Sequence, residues 1–379
     1  MNAILRTSER RAFKRCPQRW WWAYREGLKL KGAEATPLWF GTGVHLALAE
    51  WYLPGTKRGP HPAETFERFA GDTLTSVKIA DATEERVAEY VDGKELGVKM
   101  LEGYVAKYGK DESWSFISAE QSFQLPVPWP RNEEGRQSVW EVRDGEILLT
   151  YAGTFDGVYR DLETGRIELL ETKTAKAIST SHLPLDDQAG SYWAVASHVL
   201  AEQGLIKKGE KISAINYNFL RKALPDDRPK DAEGYYTNKP LKSHYVAALE
   251  DVVASHRAST LGKLKLEDLE GIAKSYGITV LGERSKVQPL PLFHREVVTR
   301  TAAERRTQLQ RIQNEALHMQ AMREKLLPLY KNPTRDCTWD CEFNIMCQLQ
   351  DNAGDWKSHK EAAYKRQDPY ADHRKSTDE

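Results

Sequence analysis

The stretch that most constrains the fold is 151–173, which has the pattern of a β-hairpin. Two β-rich runs flank a turn at 161–165, where Gly165 supplies the backbone freedom that such a turn needs. Side chains alternate along a strand, so one face of the second run carries two apolar residues, a carboxylate and an amine. These residues are Ile167, Leu169, Glu171 and Lys173. The first run adds Asp156, so the sequence predicts an Asp, a Glu and a Lys at one end of the hairpin.

This convergence has two interpretations. Carboxylate oxygens are hard ligands that suit a divalent metal, and an amine beside them could aim a water molecule. Alternatively, Glu171 and Lys173 form an exposed ion pair and Asp156 lies near a turn, an arrangement that contributes little to stability. The hairpin alone leaves both interpretations open.

The composition is that of a globular protein, with 379 residues, 40% hydrophobic residues, 29% charged residues and 11 Trp. This length indicates one large domain or two. The formal net charge is zero, so any contact with nucleic acid must depend on local basic patches. We find no apolar run of membrane-spanning length and no signal peptide, and we therefore expect a cytoplasmic protein without membrane contact.

The N-terminal segment is basic and aromatic. Residues 1–31 hold nine Lys or Arg against two Glu, and they include three consecutive Trp. Ser8 is a candidate N-cap, and Pro17 is expected to end one helix and begin another. We expect the Trp side chains to pack in the core and some of the Arg side chains to contact phosphate.

Two residues upstream of the hairpin are candidate site residues. A helix at 38–52 is predicted to begin at a glycine turn, with His45 in its first turns. A lone His on a helix is more often structural than a ligand. A strand at 114–127 carries Glu120, which is either an exposed carboxylate or part of a site beside the hairpin.

Downstream of the hairpin, a helix is predicted at 187–202. Gln188 and Tyr192 lie four residues apart and therefore share one face of it. By themselves they could be a polar surface pair.

The rest of the chain predicts strands at 212–223 and 292–300, separated by a long loop at 224–243. A further helix begins after Thr301, which forms a capping box with Glu304. Its buried stripe is predicted from the helical period to contain Leu309, Ile312, Ala316 and Met319.

The four cysteines are unevenly placed, with one near the start and three close together near the end: Cys16, Cys337, Cys341 and Cys347. Scattered cytosolic thiols are usually reduced and carry no metal. This grouping instead favours a metal or iron–sulphur centre over disulfides. Four thiolates suit Zn²⁺ or an iron–sulphur cluster, which would join the two ends of the chain.

The hairpin resembles a known catalytic signature. Asp156, followed after fourteen residues by Glu171-Thr-Lys173, resembles the D…(D/E)xK signature of the PD-(D/E)XK nuclease superfamily. The resemblance implies an α/β fold of the restriction-endonuclease type, with a mixed central sheet flanked by helices. It also implies catalytic roles for the three residues.

The motifs around this signature resemble the RecB-like and AddB-like exonucleases. FGTGVH, which ends at His45, is similar to a GxxxH-type element whose His contributes to the metal site. Gln188 and Tyr192 are similar to the QxxxY motif, which implies that they orient the substrate and the lysine. Related nucleases often carry an acid on the first core strand, here Glu120. The cysteines resemble the [4Fe–4S] arrangement of AddB-type helicase-nucleases and CRISPR-associated RecB-like exonucleases, although their first gap is three residues where two are common.

This resemblance implies an organisation in five parts. They are a basic and aromatic segment with the first cluster Cys at 1–37, a helical subdomain at 38–112, a nuclease core at 113–330 with the loop 224–243 inserted, a cysteine group at 331–350 that staples the two ends together, and a polar tail at 351–379. We expect the tail to fray.

The implied activity is metal-dependent exonucleolytic hydrolysis of DNA, in repair, recombination or phage DNA processing. We expect Mg²⁺ or Mn²⁺ to be held by oxygen and imidazole ligands, namely Asp156, Glu171, His45 and Glu120. The four cysteines would hold a [4Fe–4S] cluster, with Zn²⁺ less favoured. Lys173 would position or help deprotonate the attacking water. The expected partner is DNA that is single-stranded or has free ends. Because the sequence lacks a GxxxxGK[ST] loop, the protein would act either alone or with a separate helicase, annealing or recombination protein.

Two other classes of function stay open at this point. In one, the protein binds DNA ends or single strands without cleaving them. In the other, the cysteine centre is the main feature and serves a redox or regulatory role.

Overall fold

The structure is a computed structural model, and it describes residues 3–31, 36–79, 83–129, 146–250 and 258–371. The chain divides into two compact units. The first consists of residues 1–222 and 293–379, and the second of residues 223–292.

The strands, all in the first unit, are β1 (Ile4–Arg6), β2 (Leu28–Leu30), β3 (Trp114–Pro128), β4 (Ile147–Asp161), β5 (Ile167–Ala175), β6 (Ile212–Arg221), β7 (Phe293–Thr299) and β8 (Tyr364–Arg366). The α-helices are α1 (Thr7–Arg15), α2 (Pro17–Trp20), α3 (Thr36–Trp51), α4 (Pro62–Ile79), α5 (Glu84–Tyr108), α6 (Asp187–Glu202), α7 (Lys242–Glu250), α8 (Ala258–Leu261), α9 (Leu266–Ser275), α10 (Ala302–Arg323), α11 (Cys337–Asp340), α12 (Asn344–Asp351) and α13 (Trp356–Ala363). Helices α7 to α9 belong to the second unit.

Six strands form one mixed sheet in the order β1-β4-β5-β6-β7, with β3 paired to β4. The pairs β1–β4 and β5–β6 are parallel, and the pairs β3–β4, β4–β5 and β6–β7 are antiparallel. Helices flank this sheet, and the fold is therefore the mixed α/β fold that the sequence predicts.

The predicted hairpin is confirmed as β4 and β5. Gly165 adopts a φ of 72° in the turn, which only a residue without a Cβ adopts without strain. Ile167 and Leu169 are buried in the main core together with residues of α6. The face of β5 that carries Glu171 and Lys173 near its C-terminal end is therefore part of the main core at its N-terminal end.

The main core lies between the sheet and the helices α6 and α10. Helix α6 has the predicted bounds, and the capping box of α10 is confirmed, since Glu304 N donates to Thr301 Oγ1 at 3.2 Å and Thr301 N donates to the Glu304 carboxylate at 2.6 Å. The predicted stripe of α10 is wrong at Leu309, which is 40% exposed. Gln308 is buried instead, because its amide donates to Asp187 and Ser191 of α6.

The N-terminal segment differs from the prediction at its first cap. Helix α1 begins at Thr7, with Arg6 as the N-cap, so Ser8 lies inside the helix. The reason is that β1 leads directly into α1, and buried Thr7 is fixed by a 2.6 Å hydrogen bond to the hydroxyl of Tyr151. Pro17 does separate α1 from α2.

The Trp side chains pack as predicted. Trp20 and Trp22 are buried, and Trp22 lies against Phe343 of the C-terminal part of the chain. The prediction of a frayed tail is wrong for α13 and β8, because β8 forms an antiparallel ladder with β2. Residues 372–379 of the tail lie outside the described residues.

The second unit has its own small apolar core, which α7, α8 and α9 enclose. It includes the predicted loop at 224–243, part of which forms isolated β-bridges. None of the helices in the described parts of either unit combines the length and apolar character of a membrane span.

Candidate active site

A gap in the sheet creates the candidate site. One edge of β4 pairs with β3 along almost its whole length. The other edge pairs with β1 at 150–152 and with β5 at 157–160, which leaves residues 153–156 without a neighbouring strand on that edge. A cavity of about 400 Å³ opens there, with Asp156 in its lining.

Three side chains from three elements meet beside this gap. His45 Nδ1 of α3 lies 3.3 Å from Glu120 Oε1 of β3 and 3.5 Å from Asp156 Oδ1 of β4. One ligand atom from each residue lies within 4.8 Å of the others. Two carboxylates and an imidazole at this separation are a donor set that suits Mg²⁺ and, even better, Mn²⁺.

His45 reaches the site from the middle of α3, and the predicted glycine turn before it is wrong. Gly41 and Gly43 are helical residues. A Cβ on Gly43 would lie 2.6 Å from the ring of Phe69 and 2.9 Å from that of Phe66. Gly43 therefore serves close packing of α3 against α4 rather than a turn.

Glu120 has an unusual backbone. Its φ is +46°, a left-handed conformation that costs a residue with a Cβ about 1–2 kcal/mol. The register on either side, Ala119 with Gly157 and Gln121 with Phe155, sets Glu120 opposite Asp156. Strain of this kind is concentrated at functional sites, and here it falls on one of the three candidate ligands.

The charges at the site also indicate a cation. Burial acts to lower the pKa of His45, but the carboxylates of Asp156 and Glu120 outweigh it and raise that pKa to about 10. The imidazole is thus held in a strongly negative environment. A divalent ion bound to these groups would offset this negative charge.

The hairpin end holds the second half of the site. The amide of Thr172 donates to Asp156 Oδ2 at 2.7 Å, which fixes the carboxylate across the two strands. Lys173 Nζ donates to Glu171 Oε1 at 2.5 Å. The side-chain amide of Gln188 (Nε2) donates to the same oxygen at 3.3 Å. Burial raises the pKa of Glu171, Lys173 opposes this shift and Asp156 adds to it.

The pKa of Lys173 is also raised. Burial acts to lower the pKa of Lys173, but the carboxylate of Glu171 and that of Asp156 raise it overall. Asp156 and Gln188 line the same cavity, and the side-chain amide of Gln188 donates to the carboxylate of Glu171. The two carboxylates therefore face the same side.

Comparison with known protein families agrees with this geometry. The PD-(D/E)XK nuclease superfamily matches residues 7–348 of the chain. The chain belongs to this superfamily. None of the curated proteins compared with the chain matches it. Members of the superfamily are metal-dependent nucleases that hydrolyse phosphodiesters, so nucleic acid is the class of substrate and the hairpin end is the candidate active site.

In this PD-(D/E)XK nuclease, Tyr192 lines the cavity beside Gln188. Burial raises the pKa of its phenol, which is therefore neutral. Its ring packs over Gly153, where a Cβ would lie 2.8 Å from Tyr192 and 2.9 Å from Phe123. Gly153 is thus required by the site, although the sequence shows it only as a glycine before Asp156.

An N-cap that was not predicted from the sequence, Asp186, fixes the start of α6 beside the site. Asp186 Oδ1 accepts hydrogen bonds from the amides of Gln188 at 2.8 Å and Ala189 at 3.2 Å. An Asp directly before a helix is a typical N-cap, so the signal was present in the sequence. The cap fixes the first turn of α6, from which Gln188 reaches Glu171.

The structure brings the four cysteines together around a cavity of about 120 Å³. Backbone amides of Asn332 and Thr334 donate to the sulphurs of Cys16 and Cys337, both at 3.4 Å. All four cysteines are among the described residues, and no three of their sulphurs lie within 4.8 Å of one another. Tetrahedral Zn²⁺, with Zn–S bonds of about 2.3 Å, would require sulphurs about 3.8 Å apart.

The strain at Glu120 leads to a prediction. We expect Glu120→Asn to raise the free energy of unfolding of the metal-free protein by about 0.5–1 kcal/mol, because Asn tolerates a positive φ. We expect the same variant to lose about 10–100-fold in nuclease activity, since it removes a carboxylate from the candidate metal site. Thermal unfolding without metal and cleavage with Mn²⁺ measure the two effects. Glu120→Gln is the control: it removes the charge but keeps the strain, so it should lose activity without gaining stability.

Proposed function

We propose that this protein is a DNA exonuclease that hydrolyses phosphodiesters at the end of the β4–β5 hairpin. The observation that carries the proposal is the meeting of His45, Glu120 and Asp156 beside the gap in the sheet, next to the bonded pair of Glu171 and Lys173. A structural ion pair would not need a strained third carboxylate and a histidine in the same place.

We assign the divalent ion to Asp156, His45 and Glu120, with Glu171 as the fourth ligand that the superfamily signature implies. Glu171 lies outside the group of three and is bonded to Lys173 and Gln188. When bound, Mg²⁺ or Mn²⁺ supplies Lewis-acid chemistry that stabilises negative charge on the phosphoryl oxygens and makes water more acidic.

The side chains of the hairpin end then orient the reactants. Lys173 as an ammonium ion is a hydrogen-bond donor only, so it holds a water oxygen or a phosphate oxygen in place and offsets the charge that develops there. The side-chain amide of Gln188 donates to the same oxygen of Glu171 and holds that carboxylate in place. Tyr192, as a neutral phenol on the cavity wall, contacts the substrate.

The cysteine group supports a [4Fe–4S] cluster over Zn²⁺ in this proposal. The four cysteines line one cavity, four thiolates are the ligand set of a [4Fe–4S] cluster, and their spacing along the chain resembles that arrangement. Its role is structural, because it ties the α1–α2 junction, where Cys16 lies, to the α11–α12 region across more than three hundred residues of chain.

The exonuclease type and the RecB-like and AddB-like kinship rest on the order of the motifs along the chain, from the first Cys to the last. We expect the enzyme to act in the cytoplasm on single strands or free ends, either alone or with a separate helicase or recombination protein, in repair, recombination or phage DNA processing. The competing function is that of a non-catalytic DNA binder, and the complete set of acids and Lys173 argues against it.

Anaerobically purified protein and end-labelled DNA test the proposal. We expect single nucleotides or short products to be released from labelled ends in the presence of Mn²⁺ and none in the presence of a chelator. Cleavage of closed circular DNA at the same rate would contradict the exonuclease type, and metal-independent binding without degradation would support the non-catalytic alternative. Absorbance at about 400 nm in the same sample reports the iron–sulphur cluster.

A further inference from the structure

A second cavity lies along α1 and adjoins the cavity of about 400 Å³ beside the gap in the sheet, which we call the catalytic cavity. It has a volume of about 950 Å³, and Arg6, Ser8 and Arg11 line both cavities. Beyond this junction the second cavity is lined by Ala12 and Arg15. Positions 8, 11, 12 and 15 are spaced by three or four residues, so they lie on one face of the helix. We call the two cavities and this face the α1 path.

The cationic side chains of α1 that line the α1 path differ in whether a carboxylate pairs with them. Lys14 pairs with Asp187, and Arg15 pairs with Asp340. Arg11 differs from both: it is exposed, and among the described residues its guanidinium has no carboxylate or hydrogen-bond partner. It is therefore available to an anion in the path.

Acidic side chains on elements other than α1 also line the catalytic cavity, namely the carboxylates of Asp156 and Asp186. The lining of the second cavity outside α1 is mixed in charge and includes Arg19 and Asp340. This arrangement fits one phosphate backbone that follows α1, whereas a second backbone close to Asp156 and Asp186 would be repelled by their carboxylates. Tyr24, whose ring also contacts that of Tyr370, lines the second cavity, and aromatic side chains are common stacking partners of unpaired bases.

We propose that the α1 path holds one unpaired strand of the substrate, and that Arg11 binds a backbone phosphate adjacent to the scissile one. The inference rests on the proposed function. It adds that the bound substrate is single-stranded and that Arg11 binds its backbone. A guanidinium suits this task because its planar fork can donate two parallel hydrogen bonds to a phosphate.

The test measures binding separately from cleavage, in a Lys173→Ala background that leaves the DNA intact. The probe is a short fluorescent oligothymidylate, and its Kd is measured by anisotropy over a series of salt concentrations. Adding Arg11→Gln is expected to raise the Kd about tenfold or more. The slope of log K against log[salt] should fall in magnitude by about 0.7, the value for one lost contact to a single strand. Arg11→Lys should keep that slope.

The matched control is Arg166→Gln. Arg166 is also exposed but lies in the hairpin turn, five residues and therefore about 16 Å along β5 from Glu171. Its Kd and salt slope should equal those of the background. Both Arg variants should unfold at the same temperature as their background, because neither residue is buried.

Three results would overturn the inference. One is an unchanged Kd and salt slope in Arg11→Gln, and another is an equal loss of affinity for a blunt duplex, which would contradict the single-strand assignment. The third is a change in kcat without a change in KM when Arg11→Gln is made in the active protein. If the protein with Lys173 cleaves DNA but is insensitive to Arg11, only this inference fails, whereas absence of all cleavage with metal present overturns the proposed function.

Discussion

Replacement of Lys173 by Ala is expected to lower the rate of DNA cleavage by about 10³-fold, while the affinity for DNA changes little. The ammonium is 2.5 Å from Glu171, whose carboxylate is buried, and in the proposed mechanism its positive charge stabilises the reacting phosphate. Loss of one preorganised donor at the point where charge develops typically costs 10²–10³-fold in kcat, and here the buried carboxylate also loses its partner. Single-turnover cleavage with Mn²⁺ and DNA binding under the same conditions measure the two quantities.

Lys176→Ala is the control for this change. Lys176 lies just beyond the same strand and is exposed, with no carboxylate partner among the described residues. We expect its cleavage rate to stay within a factor of about 2, since exposed side chains away from a site contribute little. Full activity of Lys173→Ala would remove this residue from the mechanism.

Replacement of Arg10 by Met is expected to lower the free energy of unfolding by about 3 kcal/mol. The Arg10 side chain is fully buried, and it donates to Glu315 at 2.6 Å, Ser191 at 2.6 Å and Asp187 at 3.2 Å. These contacts join α1, α10 and α6. Removing one partner of a buried ion pair costs about 3–5 kcal/mol, and Lys14, which pairs with the same two carboxylates, holds the loss at the lower end of this range.

The neighbouring residue provides the control for Arg10. Arg11→Met should change the free energy of unfolding by less than about 0.5 kcal/mol, because Arg11 is exposed. Chemical denaturation of the two variants therefore separates a structural arginine from one that is free to bind substrate. Equal stabilities for Arg10→Met and the unaltered protein would show that the network of Arg10 does not hold the helices together.

The hairpin, α6 and the face of Glu171 and Lys173 were predictable because they depend on local periods of two and 3.6 residues and on one turn glycine. Gly43 was misread as part of a turn, since a glycine in a turn and one beneath an aromatic ring look alike in sequence. The prediction that Leu309 is buried was wrong because Gln308 is buried instead, through hydrogen bonds to Asp187 and Ser191 of α6. The hydrophobic pattern of one helix contains no information about such partners on another helix.

The site itself was only partly predictable. The pairing of β4 with both β1 and β5 along one edge, and the positive φ of Glu120, result from tertiary structure and leave no local signal. Arg10 and Arg11 are adjacent and identical in sequence, yet one is buried among carboxylates and the other faces a cavity. The basic character of α1 predicted contact with phosphate, but only the packing of α1 shows which arginine is free to make it.

The proposed activity requires that His45, Glu120 and Asp156 hold a divalent ion. Titration of the protein with Mn²⁺, with the free ion followed by electron paramagnetic resonance, tests it directly. We expect saturable binding to the unaltered protein and an affinity at least about tenfold lower in Asp156→Asn and in His45→Gln. Equal Mn²⁺ affinity in the unaltered protein and both variants would contradict the account.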